Sequence, residues 1–188
     1  SQDAIQNSFS SSSPSSGPNS SGPISSGFLG KNLDQNINNI QIQFALLDKI
    51  AGFYSWNLRQ EDGKVCIDYL KNREISGDLA KRYQLGWIGG TWDNLIKSFV
   101  GKALIVKASR KNSKNNKNTE IIITQDMLIQ AGLLIKNEQN KVYDRFRSRL
   151  MFPIRDRRGR VLGFGGRVVT VDGKPKYLNS PETALFLK

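Results

Sequence analysis

The sequence predicts an α+β domain, helices first and then a small, mostly antiparallel sheet built on a basic β-hairpin. Two observations predict it: apolar residues recur at spacings of three and four early in the chain, and after Tyr143 their period changes to two. A third sets the start of the domain. From Ser1 to about Gly30 the chain is mostly Ser, Gly, Pro and Asn with Asp3 its sole charge, a composition that cannot offset the entropy of ordering. Residues 1–32 are therefore expected to be a disordered linker or tail, and 33–188 the folded domain.

The elements follow in order. Ile37, Ile40, Phe44, Leu47, Ala51 and Tyr54 form the stripe of an amphipathic helix running to about Trp56. A second helix is expected over Gly63 to Asn72, carrying Val65, Tyr69 and Leu70, and a short third follows Ser76 as N-cap, through Leu79 to Tyr83. Thr91 is placed to cap "WDNLIKSF" and Thr124 to cap "QDMLIQA", with Gly132 at the end of the latter. Between them Lys107, Arg110, Lys111, Lys114 and Lys117 run without an acid, as either a solvated loop or a nucleic-acid contact. Leu150, Phe152 and Ile154, then Leu162, Phe164 and Val168, alternate on two strands joined by "DRRGR". Pro153 places the first strand at an edge or a bulge, since proline cannot donate to a ladder. A last short strand around "PKYLN" follows the turn "VDGKP".

Composition narrows the function. The 188 residues carry 28 Lys and Arg against 16 Asp and Glu, a net charge of +12 and a pI near 10.0, which favours a polyanionic partner: nucleic acid first, an anionic membrane surface second. Cys66 is the only cysteine and there is no histidine, which excludes a disulfide framework, a Cys/His zinc site and a Ser/His/Asp triad within this chain. No apolar run approaches the roughly 18 residues of a membrane span, and the start lacks a secretory signal. A soluble, cytoplasmic protein is expected.

The positive charge is focused. Lys141 to Arg167 contains nine Lys or Arg against Asp144 and Asp156, so nine minus two, or +7, of the +12 lies there. Alternation puts Gly163, Gly165 and Arg167 on the face opposite Leu162, Phe164 and Val168. Glycine within a strand often admits a close backbone or ligand, and a phosphate chain suits that approach, with Arg167 as a planar fork of donors. The other reading is a solvated hairpin whose glycines serve bulges. "GFGGRV" lacks the last glycine of a dinucleotide fingerprint, and "DGKPK" is not a P-loop. Asp144, Asp156, Asp172 and Glu182 are too scattered for a two-metal centre.

The run "YDRFRSRLMFPIRDRRGRVLGFGGRVV", then "GKPKYLNSPETALFLK", with "YLKNREIS", "QLGWIGGTWDNLIKSF" and "LIQAGLLIKNEQNKVYDRFRSR" upstream, closely resembles the bacterial replicative DNA primases over about Leu46 to Lys188, in the N-terminal half of their RNA-polymerase core. The resemblance implies that the whole enzyme polymerises ribonucleotides on a single-stranded DNA template into short RNA primers for replication, and that this part holds the template in a basic groove. Its matching residues are Arg167, Lys176, Asn179 and Arg73, joined by Arg155, Arg157 and Arg158 of the hairpin turn. Tyr177 beside them is either a base-stacking platform or a buried strand tyrosine.

Three departures bound that implication. The family's zinc-binding domain is missing, with the Ser-rich tail where its linker would be. The family's catalytic acids, which bind Mg²⁺ or Mn²⁺ in the following TOPRIM subdomain, lie beyond Lys188, so the chain looks like a fragment, inactive alone and without a cofactor of its own. The last motif also reads "FLK" where a histidine commonly precedes the lysine, and "KALIVKASRKNSKNNKNTEIIIT" looks like an insertion. A replicative helicase would be met through an absent C-terminal domain, and a monomer with no membrane partner is expected. The alternative readings are a non-catalytic basic RNA-binding module and an interaction domain docked through its first helix.

Overall fold

The computed structural model describes residues 26–107, 118–170 and 173–187, with side chains from residue 38 onward. The expectation of a disordered 1–25 and the roles of Arg110, Lys111, Lys114 and Lys117 fall outside the described residues. In chain order the elements are α1 (Ser26–Asn57), a 3₁₀ turn (Glu61–Gly63), α2 (Lys64–Lys71), α3 (Gly77–Arg82), β1 (Gly86–Ile88) and α4 (Asn94–Phe99). They continue with β2 (Ala103–Val106), β3 (Thr119–Ile122), α5 (Gln125–Gln130), β4 (Leu134–Lys136) and β5 (Val142–Asp144). The hairpin β6 (Arg149–Arg155) and β7 (Val161–Val168), then β8 (Tyr177–Asn179), complete the order.

The first helix differs from the expectation at its start. It begins at Ser26, taking in residues 26–32 that the composition had placed in the tail. Once a helix is nucleated, each further residue adds one backbone hydrogen bond, so an unfavourable composition weakens such an extension without forbidding it. Only the second half of the expected stripe is core: Leu47, Ala51 and Tyr54 are buried, while Ile40 stays 39% exposed.

All three sheets are antiparallel. The main one has the order β1-β6-β7-β8, and β2–β3 and β4–β5 are separate ribbons. One face of the main sheet packs on α1, where Tyr54 meets Phe164 edge-on at 5.1 Å between ring centres. The opposite face carries a second core, in which Leu150 and Trp87 pack with Leu58, Cys66, Leu70 and Leu85 from the end of α1, α2 and the α3–β1 corner. Burying such side chains contributes about 1.5–3 kcal/mol each. Pro153 lies beyond the end of β1, which reaches only to Met151, and the ladder shifts register just after Ile154. Both features match what proline requires. The shift also turns Val161 into the core while Leu162 is only half-buried.

Two helix caps follow the sequence and one does not. Ser76 accepts from Leu79 N–H at 3.2 Å and Thr124 from Met127 N–H at 3.3 Å, and Gly132 follows α5 at φ +70°. Thr91, however, does not cap α4. That helix starts at Asn94, its N-cap Asp93 makes no side-chain cap bond, and the Leu95 N–H donates instead to the Asp144 carboxylate at 3.0 Å. A fully buried acceptor delivered by β5 replaces the local cap, and Asp144 N–H in turn donates to Trp92 C=O at 2.8 Å.

Burial raises the Asp144 carboxyl to about 7, with backbone donation from Leu95 and Asn94 pulling it down, Asp93 pushing it up and Arg147 pulling it down. A folded-state pKa raised above the ordinary value of 3.8 means a stabilising contribution present in full below about 3.8 and lost as pH rises through about 7. Asp144→Asn keeps an acceptor without the charge. Its melting temperature relative to the unaltered chain is therefore expected to rise by several degrees between pH 5 and pH 8, since each pKa unit is about 1.4 kcal/mol. A constant difference across that range would remove Asp144 as the source.

Candidate nucleic-acid interface

The register of β7 and β8 sets Arg167 opposite Tyr177 and Gly165 opposite Asn179, so four sequence-predicted positions or their neighbours share one edge of the sheet. Helix α2 brings Tyr69 close to Arg167. Its Tyr69 and, just beyond its end, Arg73 are four residues apart and so lie on one side of the helix. The Arg73 guanidinium lies 4.8 Å from the Tyr69 ring centre, Arg167 lies 5.3 Å from the same ring and 5.0 Å from the Tyr177 ring, and the Lys176 ammonium is 6.0 Å from Tyr177. The result is an alternating row: Arg73, Tyr69, Arg167, Tyr177, Lys176.

Each member is suited to a polyanion with planar bases. Arg167 donates through Nη1 to the Tyr177 hydroxyl, which holds its guanidinium in one orientation, and its Nε–H has no partner among the described residues. None of the three cations forms a salt bridge with a described carboxylate. Tyr177 is 59% exposed, so of its two readings the buried strand tyrosine is set aside. Asn179 is exposed, with its side-chain oxygen 3.2 Å from where a Cβ on Gly165 would stand.

The hairpin turn is a separate place. Arg155 pairs with Val161 and lies five residues along β6 from Leu150, the partner of Arg167, a separation of about 17 Å at roughly 3.3 Å per residue. Arg155 donates to Gly159 C=O at 2.5 Å and to the Gln84 side chain, holding the turn against the end of α3. Asp156 accepts from the Arg158 and Arg160 N–H groups at 2.9 Å and pairs with the Arg160 guanidinium at 2.7 Å. Arg157 and Arg158 are exposed. The structure thus does not gather Arg155, Arg157 and Arg158 with Arg167.

Two parts of the sequence argument need correction. The face bearing Gly163, Gly165 and Arg167 is not bare, because the second core covers much of it, and a Cβ on Gly163 would stand 3.0 Å from the Ser180 side chain. Gly166, on the other face, leaves room for Phe146 and Arg149, whose atoms would lie 3.0 and 2.9 Å from a Cβ there. These two glycines serve the protein's own packing, while the near neighbour of Gly165 is the exposed Asn179 side chain. Nor is the +7 all available. Arg149 is buried and donates to Pro175 C=O at 2.8 Å, Arg145 to Asn179 C=O at 3.4 Å, and Arg147 to Asp144 C=O.

Sequence reading missed Tyr69 as a site residue, although its four-residue spacing from Arg73 was visible. It also missed a second aromatic–cation stack, in which Arg147 lies 3.9 Å from the ring centre of Trp92 and 5.4 Å from that of Tyr143. Trp92 is 60% exposed. Among the described residues no three His, Cys, Asp or Glu side chains come together to hold a metal ion. With one cysteine and no histidine, the donor set does not fit a zinc centre within this chain. No described helix is long and apolar enough to cross a membrane.

Comparison with known proteins gives concordant matches. Residues 53–124 and 107–188 match the family described as DNA primase catalytic core, N-terminal domain. A DNA primase of Legionella pneumophila is 46% identical over 145 residues, covering 77% of this chain and 21% of that protein. Among solved structures, a DnaG primase catalytic domain bound to ssDNA is similar at TM-score 0.64 and 38% identity, covering 80% of this chain and 42% of that one. The zinc-binding and RNA polymerase domains of the Aquifex aeolicus primase are similar at TM-score 0.56 and 28% identity, covering 79% and 31%. The chain spans about a fifth of the length of the curated relatives it matches.

Proposed function

Since the chain belongs to the family of the DNA primase catalytic core, N-terminal domain, we propose that it is the template-holding part of a primase and that its alternating cation–aromatic row is where single-stranded DNA lies. The observation that carries this reading is the row itself: three cations with no carboxylate partner among the described residues, interleaved with two tyrosines on elements that fix their spacing. Arg73, Arg167 and Lys176 meet phosphates, which positions a strand without reading its sequence. Tyr177 offers a face to a base, an interaction of about 1–3 kcal/mol that any base can make. Asn179, exposed and paired with Gly165, adds a neutral donor and acceptor beside the row. Exposed Arg157 and Arg158 extend the positive surface about 17 Å farther along the hairpin, where a longer strand would reach them.

On this reading, the whole protein joins ribonucleotides into an RNA primer along that template, in the bacterial cytoplasm and alongside a replicative helicase. The divalent metal for that chemistry is held by acids outside the elements described above. What this chain's residues do is bind and orient the template.

The test is fluorescence anisotropy of a labelled single-stranded oligonucleotide across a salt series. Three phosphate contacts at about −0.7 each predict a slope of log affinity on log salt near −2. Folded RNA added as competitor should displace the DNA only weakly. A flat salt dependence, or preferential binding of structured RNA, would favour the RNA-binding module instead.

A further inference from the structure

A groove of about 280 Å³ lies on the other side of α2 from the cation–aromatic row, bounded by the end of α1, α2, α3 and Leu85. Its floor is aliphatic: Ile67 and Leu70 come from α2, Ala80 from α3, and Leu58 and Ile75 from the turns that follow α1 and α2. The second core leaves Ile67, Ile75 and Ala80 only partly buried, so the floor is open to a partner. The rim carries Arg59, Lys71 and Lys81, all exposed, and no carboxylate lines the groove. Asp68 and Asp78, three residues before the two lysines, are not among its walls, and none of the three cations forms a salt bridge among the described residues.

We propose that this groove docks a short, acidic, amphipathic peptide segment of another protein, with apolar side chains on the aliphatic floor and carboxylates on Arg59, Lys71 and Lys81. Charge and shape together select that occupant. A nucleic-acid strand would set its phosphates over aliphatic carbon, and the groove has no exposed aromatic face on which a base could stack. A neutral apolar ligand would leave three cations unused. An amphipathic segment with anchors three and four residues apart meets both the floor and the rim, the familiar way a groove between helices reads a peptide. This inference is independent of the template reading, because it rests on the opposite side of α2.

The consequence is positional. Since α2 contributes Tyr69 to the row and Ile67, Leu70 and Lys71 to the groove, a docked segment would sit one helix diameter, about 10 Å, from the strand on the row. The groove would thus bring an acidic partner beside the DNA without competing for it.

The experiment is selection of a random twelve-residue peptide library displayed on phage against this chain, with excess unlabelled single-stranded oligonucleotide present to occupy the basic row. Enriched peptides are expected to carry at least two acids flanking a pair of apolar residues. Their affinity should fall tenfold or more in Lys71→Glu/Lys81→Glu and in Ala80→Trp, which fills the floor, and should be unchanged in Arg167→Ala. Should Ala80→Trp fail to fold, the exposed lysine variant carries the test alone. Failure to enrich any peptide, enrichment of peptides without acids, or binding that survives Lys71→Glu/Lys81→Glu overturns the proposal. Loss of peptide binding in Arg167→Ala would show that the peptides sit on the row instead, which also overturns it and leaves the template reading standing.

Discussion

Arg167→Ala will weaken binding of single-stranded DNA by about ten- to a hundredfold, the largest functional effect expected of any single substitution in the row. The magnitude follows from hydrogen bonds to a charged group, about 1.5–3 kcal/mol, at 1.4 kcal/mol per tenfold. Arg167 is central because it is the one cation in contact with both tyrosines, 5.3 Å from Tyr69 and 5.0 Å from Tyr177. Arg167→Lys should fall between, since a lysine restores the charge but not the planar fork or the stacking. The side chain is half-buried, so melting temperature must be read alongside affinity. A large drop in melting temperature at unchanged affinity would show that Arg167 is a packing residue and remove the row as the template site.

Gly86→Ala will markedly destabilise the fold. A methyl group at this position would stand 2.4 Å from the Tyr54 Cβ and 2.7 Å from the Tyr54 carbonyl carbon, so β1 touches the backbone of α1 with no room for a side chain. Neither partner can yield cheaply: Tyr54 is 1% exposed and packed edge-on against Phe164, and Gly86 is locked to Met151 in the ladder. Overpacking of this kind costs about 1–3 kcal/mol and sometimes more. In a domain of this size that lowers the melting temperature by roughly 5–10 °C, readable by circular dichroism. A melting temperature within a degree or two of the parent chain would mean that α1 and β1 separate more easily than their contact suggests.

Elements with a visible period, cap or preceding turn, such as the short β8 after "VDGKP", were legible, and those without were not. The second half of α1, the capped helices α3 and α5, and the β6–β7 hairpin each span enough residues for a period or a capping residue to show. Strands β1, β4 and β5 are three residues each, too short for alternation, and all three residues of β1 are buried. In β2 and β3 the flanking basic run masked four-residue strands. The site divided in the same way. Arg167, Lys176, Asn179 and Tyr177 are near neighbours through one local hairpin register, so sequence order nearly gave their proximity. That α2 would bring Tyr69, and with it Arg73, beside Arg167 is a tertiary fact with no local signature. Charge arithmetic likewise counted Arg145, Arg147 and Arg149 as free because it cannot see carbonyls and rings brought from elsewhere in the chain.

The cap of α4 has a temporal meaning. Its acceptor, Asp144, lies 49 residues downstream of the Leu95 N–H it receives. A helix of six residues is too short to persist alone in water, and closing so long a loop must precede the bond that holds it. Helix α4 and the Trp92 backbone tied to Asp144 therefore settle only after that loop has closed, and on the ribosome not before β5 has emerged.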